Sequence, residues 1–155
     1  MPHFGVLSFD GSGHLNPLIA LSRHLVQRGH RVTFFQKAKL EHPIRRQGLE
    51  FCAIAEASEL SGEDGLAQGR DRPRSGVAAL RYRIHQLVAE MEVFLTETPA
   101  ALLQTQVDAL LIDEIALSGP TVAEMLRLPY FLISTSVPHR FGWSAPGREP
   151  VPAVL

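Results

Sequence analysis

The sequence predicts an α/β protein built on a parallel sheet. Segments rich in β-branched, aromatic and other apolar residues alternate with segments whose apolar residues recur at helical spacing. Residues 109–112 are apolar throughout, which is typical of a strand buried on both faces of a parallel sheet. Right-handed crossovers between such strands give an expected strand order of 3-2-1-4-5. The 155 residues correspond to about one domain.

Five strands are predicted from apolar runs that glycine, proline and polar turns interrupt. They cover residues 4–9, 31–36, 49–55, 108–113 and 130–133. A glycine-rich turn over residues 10–14 follows the first strand. We expect a helix to begin at Asn16 and Pro17, because asparagine is a favoured N-cap and the first helical turn does not need proline's missing N–H. Gly29 is suited to end this helix in a left-handed conformation.

Two helical regions are predicted in the middle of the chain. A short helix is expected over residues 41–47, and a long one over residues 77–95 with Ser75 as its cap. Pro99 is expected to begin a separate short helical stretch. Residues 56–75 have no periodicity and are predicted to form a long loop, either a solvated surface loop or a binding loop.

The last predicted helix precedes the fifth strand and ends at Arg127. Ser118 or Thr121 can cap it, and Thr121 together with Glu124 fits a capping box. Residues 138–155 contain four prolines and two glycines. This composition is typical of an irregular segment or a linker.

Composition excludes several classes of protein. Fifteen basic and sixteen acidic residues give a net charge of −1, which argues against a dedicated nucleic-acid-binding protein. The longest apolar run is residues 51–55, whereas a membrane-spanning helix needs roughly 20 apolar residues. No signal peptide is recognisable. The single cysteine, Cys52, fits a reducing compartment, so we expect a cytoplasmic location.

Topology predicts where a functional site would lie. In the order 3-2-1-4-5, a crevice opens between the carboxyl ends of strands 1 and 4. His14 lies in the turn after strand 1 and could serve as a general base, while Asp113 ends strand 4 and could orient the imidazole ring. In the alternative interpretation, His14 bonds a neighbouring backbone group and Asp113 caps the helix that starts near Ser118. Asp10, in the same turn as His14, is more typical of a local backbone cap.

Two other kinds of site were considered. The glycines Gly11 and Gly13 partly match a dinucleotide-binding fingerprint, but Asn16 stands where the third glycine belongs, and Gln36 and Lys37 stand where an acidic residue is expected. An NAD(P)-binding Rossmann domain, with Lys37 facing a 2′-phosphate, remains an alternative. The histidines are scattered and only one cysteine is present, so no metal site is expected.

Several motifs together resemble one enzyme family. Residues 13–17, 28–34 and 108–113 look like the opening segments and the fourth strand of UDP-glycosyltransferases of the GT-B fold. Residues 128–130 and 148–150 are similar to the branch that contains zeaxanthin and macrolide glucosyltransferases. The resemblance covers nearly the whole chain.

The resemblance implies a mechanism and a set of site residues. His14 would be the general base that deprotonates an acceptor hydroxyl, and Asp113 would orient it, in an inverting transfer of a hexose from a UDP-sugar. The acceptor would be an apolar small molecule, with a carotenoid-like compound as one example. Further substrate-contacting residues are expected in the first turn, namely Ser12 and Gly13, and after the fifth strand, namely Phe141 and Trp143. Core packing is the alternative role for the two aromatic residues.

The resemblance also implies a domain organisation. Residues 1–137 would form a Rossmann-like acceptor-binding domain, and residues 138–155 a Pro-rich irregular segment or linker. The donor-binding C-terminal domain of the family is not recognisable in the sequence, so an incomplete N-terminal domain is expected that is inactive in isolation. No cofactor is expected, since the nucleotide sugar is a substrate. The alternative is a non-catalytic ligand-binding or docking module of a split enzyme.

Overall fold

The structure is a computed structural model that describes residues 1–54 and 75–135. Five parallel strands form one sheet in the order β3-β2-β1-β4-β5, which confirms the predicted order. The strands are β1 (His3–Leu7), β2 (Arg31–Gln36), β3 (Glu50–Ala53), β4 (Ala109–Asp113) and β5 (Tyr130–Ile133). The α-helices are α1 (Ser12–Gln27), α2 (Glu41–Arg45), α3 (Gly76–Thr105) and α4 (Gly119–Leu126), and a 3₁₀ turn covers Ala38–Leu40.

The core lies on both faces of the sheet, because successive residues of a strand point to opposite sides. On β1, Val6 belongs to the cluster that contains Leu18 of α1, whereas Leu7 belongs to the cluster that contains Phe94 of α3. All five residues of β4 are buried. This two-sided burial explains why β4 has a nearly continuous apolar sequence rather than an alternating pattern.

Helix α1 begins at Ser12, so the predicted start at Asn16 is wrong. The carbonyl of Gly11 accepts hydrogen bonds from the backbone N–H groups of His14 (3.0 Å) and Leu15 (2.9 Å), and these bonds open the helix four residues earlier. Pro17 therefore lies in the second turn. Its missing N–H removes one helical hydrogen bond near the helix end, where the loss is tolerated. As a consequence, His14 stands in the first turn of a helix.

Helix α3 runs through Pro99 without interruption, so the prediction of two separate helices is wrong. Phe94 and Leu102, on either side of Pro99, are both buried in the same core cluster. Packing of one helical face against the sheet outweighs the single hydrogen bond that the proline removes. The helix ends at Thr105, and its C-cap residue, Gln106, has a left-handed conformation with φ of 53°.

Helix α4 begins after Ser118, whose side chain makes no capping hydrogen bond. Thr121 lies inside the helix, so the predicted capping box with Glu124 is wrong. The helix start packs closely on β4, because a Cβ added to Gly119 would lie 2.5 Å from Cγ2 of Ile112. Gly29 adopts the predicted positive φ, at 87°.

Strand ends and loops complete the comparison with the sequence. Strand β1 ends at Leu7 rather than at residue 9, and β3 covers Glu50–Ala53, less than the predicted residues 49–55. The predicted long loop lies almost entirely outside the described residues, as does the Pro-rich segment 138–155. Within the described ranges, no helix has both the length and the apolar composition needed to cross a bilayer.

Candidate functional site

His14 and Asp113 meet at the carboxyl edge of the sheet. His14 is held by the first turn of α1, and Asp113 is the last residue of the buried strand β4. The Nδ1 atom of His14 lies 3.1 Å from Oδ1 and 3.1 Å from Oδ2 of Asp113. The crevice predicted from topology thus brings these two side chains into direct contact.

The carboxylate of Asp113 is fully buried and is fixed by backbone donors. The N–H of Ile115 donates to Oδ1 at 3.2 Å, and the N–H of Phe9 lies 3.4 Å from Oδ2. These donors come before helix α4, which begins at Gly119. The carboxylate therefore holds the turn after β4 and the imidazole ring, and it does not cap the helix as the alternative interpretation required.

A third side chain, Thr135, belongs to the same cluster. Its Oγ1 lies 2.6 Å from Nδ1 of His14 and 3.4 Å from Oδ1 of Asp113. The sequence interpretation missed this residue. It lies two positions beyond the end of β5, at the same edge of the sheet as Asp113, so the predicted topology offered the signal that could have found it.

The hydrogen bonds determine which nitrogen of His14 carries the proton. A carboxylate only accepts hydrogen bonds, so the neutral ring carries its proton on Nδ1 and leaves the lone pair on Nε2. Among the described residues, none forms a hydrogen bond with Nε2. The side chain of His14 is 20% exposed, whereas that of Asp113 is 0% exposed. This arrangement can accept a proton at Nε2 and stabilise the resulting imidazolium.

An apolar cleft lies beside the histidine. The ring of Phe9 packs edge-on against His14, with ring centroids 5.6 Å apart and an interplanar angle of 82°. Phe9 also lines the cleft, whose cavity volume is about 10 Å³. The other lining residues come from β1, α3 and the turn after β4: Ser8, Leu87, Met91, Phe94, Ile115, Ala116, Leu117 and Ser118. Ligand pockets typically measure roughly 300–1,000 Å³, so this cavity by itself is too small to hold a substrate.

The remaining predicted site residues have separate outcomes. Ser12 and Gly13 are exposed at the start of α1, near His14. Asp10 pairs with Lys39, at 2.7 Å between Nζ and Oδ2, and lies 3.9 Å from Nζ of Lys37. Its carboxylate thus faces the segment after β2 and is not a local backbone cap. The two aromatic candidates, Phe141 and Trp143, lie outside the described residues.

Metal ligands were searched for in the same part of the chain. Residues 1–54 and 75–135 contain no group of three histidine, cysteine, aspartate or glutamate side chains that could hold a metal ion. Cys52 is a free, partly buried thiol, and burial raises its pKa.

Comparison with curated proteins finds glycosyltransferases. Zeaxanthin glucosyltransferase of Pantoea ananas is 28% identical over 138 residues, which are 89% of this chain and 32% of the relative. Sterol 3-beta-glucosyltransferase of Eremothecium gossypii is 32% identical over 149 residues, 89% of this chain and 11% of the relative. The chain thus spans about a third or less of the length of these relatives.

Solved structures with the same fold are also glycosyltransferases. CalG4, the calicheamicin glycosyltransferase, matches with a TM-score of 0.68 and 20% identity over 85% of this chain and 32% of that protein. SnogD of Streptomyces nogalater matches with a TM-score of 0.68 and 14% identity over 87% of this chain and 35% of that protein. In both cases the five-stranded sheet corresponds to one part of a larger GT-B enzyme.

The family model of the glycosyltransferase family 28 N-terminal domain matches residues 11–140, which include the histidine, aspartate and threonine of the site. The resemblance noted in the sequence is therefore confirmed, and the chain belongs to the glycosyltransferase family 28 N-terminal domain family.

Proposed function

We propose that this chain is the acceptor-binding part of an inverting glycosyltransferase, with His14 as the general base. One observation carries the proposal. The Nδ1 atom of His14 lies 3.1 Å from both oxygens of the buried Asp113, which leaves Nε2 as the basic nitrogen at a partly open edge of the sheet. Geometry of this kind suits proton removal from a substrate hydroxyl.

The reaction follows from the chemistry of the groups. An alcohol is a weak nucleophile, so its oxygen attacks the anomeric carbon of the donor as Nε2 of His14 takes the hydroxyl proton. The new bond joins the acceptor oxygen to the anomeric carbon, and the bond between that carbon and the diphosphate oxygen breaks. The nucleoside diphosphate leaves from the opposite face, which inverts the configuration. Asp113 stabilises the imidazolium that forms.

The acceptor is proposed to be an apolar alcohol. The cleft beside His14 is lined mainly by apolar side chains, among them Phe9, Leu87 and Met91. Helix α3 also carries exposed apolar side chains before these residues, since Leu80 and Ile84 are 59% and 49% exposed. Two relatives carry the names of zeaxanthin and sterol glucosyltransferases, and both acceptors are extended apolar molecules with a hydroxyl group. These observations support a carotenoid-like or sterol-like alcohol as the proposed acceptor.

The donor is proposed to be a UDP-hexose that is held mainly by a further domain or by a separate donor-binding subunit. A solved relative, SsfS6 of Streptomyces sp. SF2575, is in complex with thymidine diphosphate, which supports a nucleotide-diphosphate sugar as the donor. The NAD(P)-binding alternative has no such support. We infer a cytoplasmic location, because UDP-sugars and reduced thiols such as that of Cys52 are typical of that compartment.

The His14→Ala variant of the protein that carries this sequence tests the assignment. Hexose transfer from UDP-glucose to a panel of apolar alcohols, measured by product chromatography, should fall about 10²- to 10⁴-fold. Acceptor binding, measured by quenching of intrinsic fluorescence, should change little. His24→Ala is the matched control, because His24 is an exposed histidine of the same helix. Retention of the wild-type transfer rate by His14→Ala would rule out His14 as the base.

A further inference from the structure

We propose that Thr135 is a positioning residue that holds the imidazole ring of His14 in the orientation that leaves Nε2 open. The contact between Oγ1 of Thr135 and Nδ1 of His14, at 2.6 Å, is shorter than either contact of Nδ1 with Asp113, at 3.1 Å. The catalytic consequence rests on the proposed function, whereas the effect on the imidazole ring does not.

The direction of the hydrogen bond follows from the neighbouring charge. If Thr135 donated to an unprotonated Nδ1, the lone pair of that nitrogen would face both oxygens of the carboxylate of Asp113, which is electrostatically unfavourable. With the proton on Nδ1, the ring donates to Oγ1 of Thr135. The hydroxyl proton is then free to point at Oδ1 of Asp113, 3.4 Å away. In this arrangement the Nδ1 proton faces Oγ1 of Thr135, and the hydroxyl proton faces the carboxylate of Asp113.

The backbone around Thr135 is itself anchored to the strand that carries Asp113. The N–H of Glu114 donates to the carbonyl of Ile133 at 3.1 Å, and Oγ of Ser134 donates to Oε2 of Glu114 at 2.8 Å. These bonds tie the residues after β5 to the residue that follows Asp113. The hydroxyl of Thr135 therefore approaches the imidazole from a segment in register with β4.

Nitrogen-15 NMR of histidine-labelled protein tests the contact directly. In the neutral ring, wild-type His14 should show a protonated Nδ1 and an unprotonated Nε2, and both Thr135 variants should keep this tautomer because Asp113 remains. Thr135→Val keeps the β-branched shape and removes the nearer acceptor of the Nδ1 proton, so the Nδ1–H resonance should move upfield and its exchange with water should become faster. Thr135→Ser restores the hydroxyl and should restore the wild-type resonance and exchange rate. An unchanged Nδ1–H resonance and exchange rate in Thr135→Val, with a well-dispersed spectrum, would overturn the proposal.

Kinetics of the same variants separate positioning from substrate contact. If Thr135 acts through His14, Thr135→Val should lower kcat about ten- to hundredfold with little change in either KM, and Thr135→Ser should recover most of it. A higher KM for the UDP-sugar with an unchanged Nδ1–H resonance would instead make Thr135 a donor contact and overturn the positioning role. Full activity of His14→Ala would refute the proposed function alone, since the NMR result does not depend on activity.

Discussion

The carboxylate of Asp113 offers the strongest quantitative test of the site. Asp113→Asn keeps the size of the side chain and an oxygen acceptor, but it removes the negative charge beside the imidazolium that forms during transfer. Two unit charges about 4 Å apart attract by about 4 kcal/mol at an effective dielectric constant of about 20. Loss of that attraction from the transition state corresponds to about a 10³-fold lower rate. The amide dipole of asparagine recovers part of it, so we expect kcat to fall about 10²- to 10³-fold.

The assay compares initial rates of hexose transfer at saturating donor and acceptor. The matched control is Asp108→Asn, because Asp108 precedes the same strand at its opposite end and accepts a hydrogen bond from the N–H of His3 at 2.7 Å. An asparagine oxygen can accept that bond, so the control should stay within about threefold of wild type. A rate for Asp113→Asn within threefold of wild type would refute the charge argument and leave Asp113 as a structural residue.

Two further predictions concern stability. Gly119→Ala should lower the free energy of unfolding by about 1–3 kcal/mol in urea titrations, because its Cβ would lie 2.5 Å from Cγ2 of Ile112. Gly13→Ala, in the first turn of α1 and with no atom within 4 Å of the added Cβ, should leave the free energy of unfolding unchanged or raise it, because alanine favours a helix over glycine. An equal decrease in both variants would contradict the packing argument. Burial, aided by the charge of Arg31, lowers the pKa of His3 below 6.5, so the folded state resists protonation. The free energy of unfolding should therefore decrease as the pH falls below about 6.5, and a His3→Gln variant should lose this part of the decrease; an identical pH profile in the variant would refute it.

The sheet was predictable because its signals are local and strong. Each strand is an apolar run rich in β-branched or aromatic residues, and the order of the strands follows from general rules of chain connection. Helix boundaries were less predictable because proline can stand either at the start of a helix or inside one. Pro17 and Pro99 both suggest helix starts, yet each lies inside a helix, since packing of the apolar face compensates for one lost hydrogen bond.

Two residues of the candidate site could be predicted from local sequence, whereas the third could not. Asp113 is recognisable from the sequence as a carboxylate at the end of an apolar strand. His14 is recognisable as a titratable residue in a glycine-rich turn. Thr135 has no such local signal, because serine and threonine after a strand are common in ordinary turns. Its contact with His14 joins residues 121 positions apart, so the contact becomes apparent only in the folded sheet.

The same assembly explains how a rigid and an accessible group can share one site. Asp113 belongs to a strand whose five residues are all buried, and the close approach of Gly119 to Ile112 fixes the chain on the other side of that carboxylate. His14 lies instead on the first turn of a surface helix, where its ring is partly exposed. A buried anion held by the core therefore sets the orientation of a base that a substrate can reach. Because Ile112 directly precedes Asp113, overpacking by Gly119→Ala should displace the carboxylate as well as destabilise the fold, so transfer activity should fall further than the loss of folded protein alone explains.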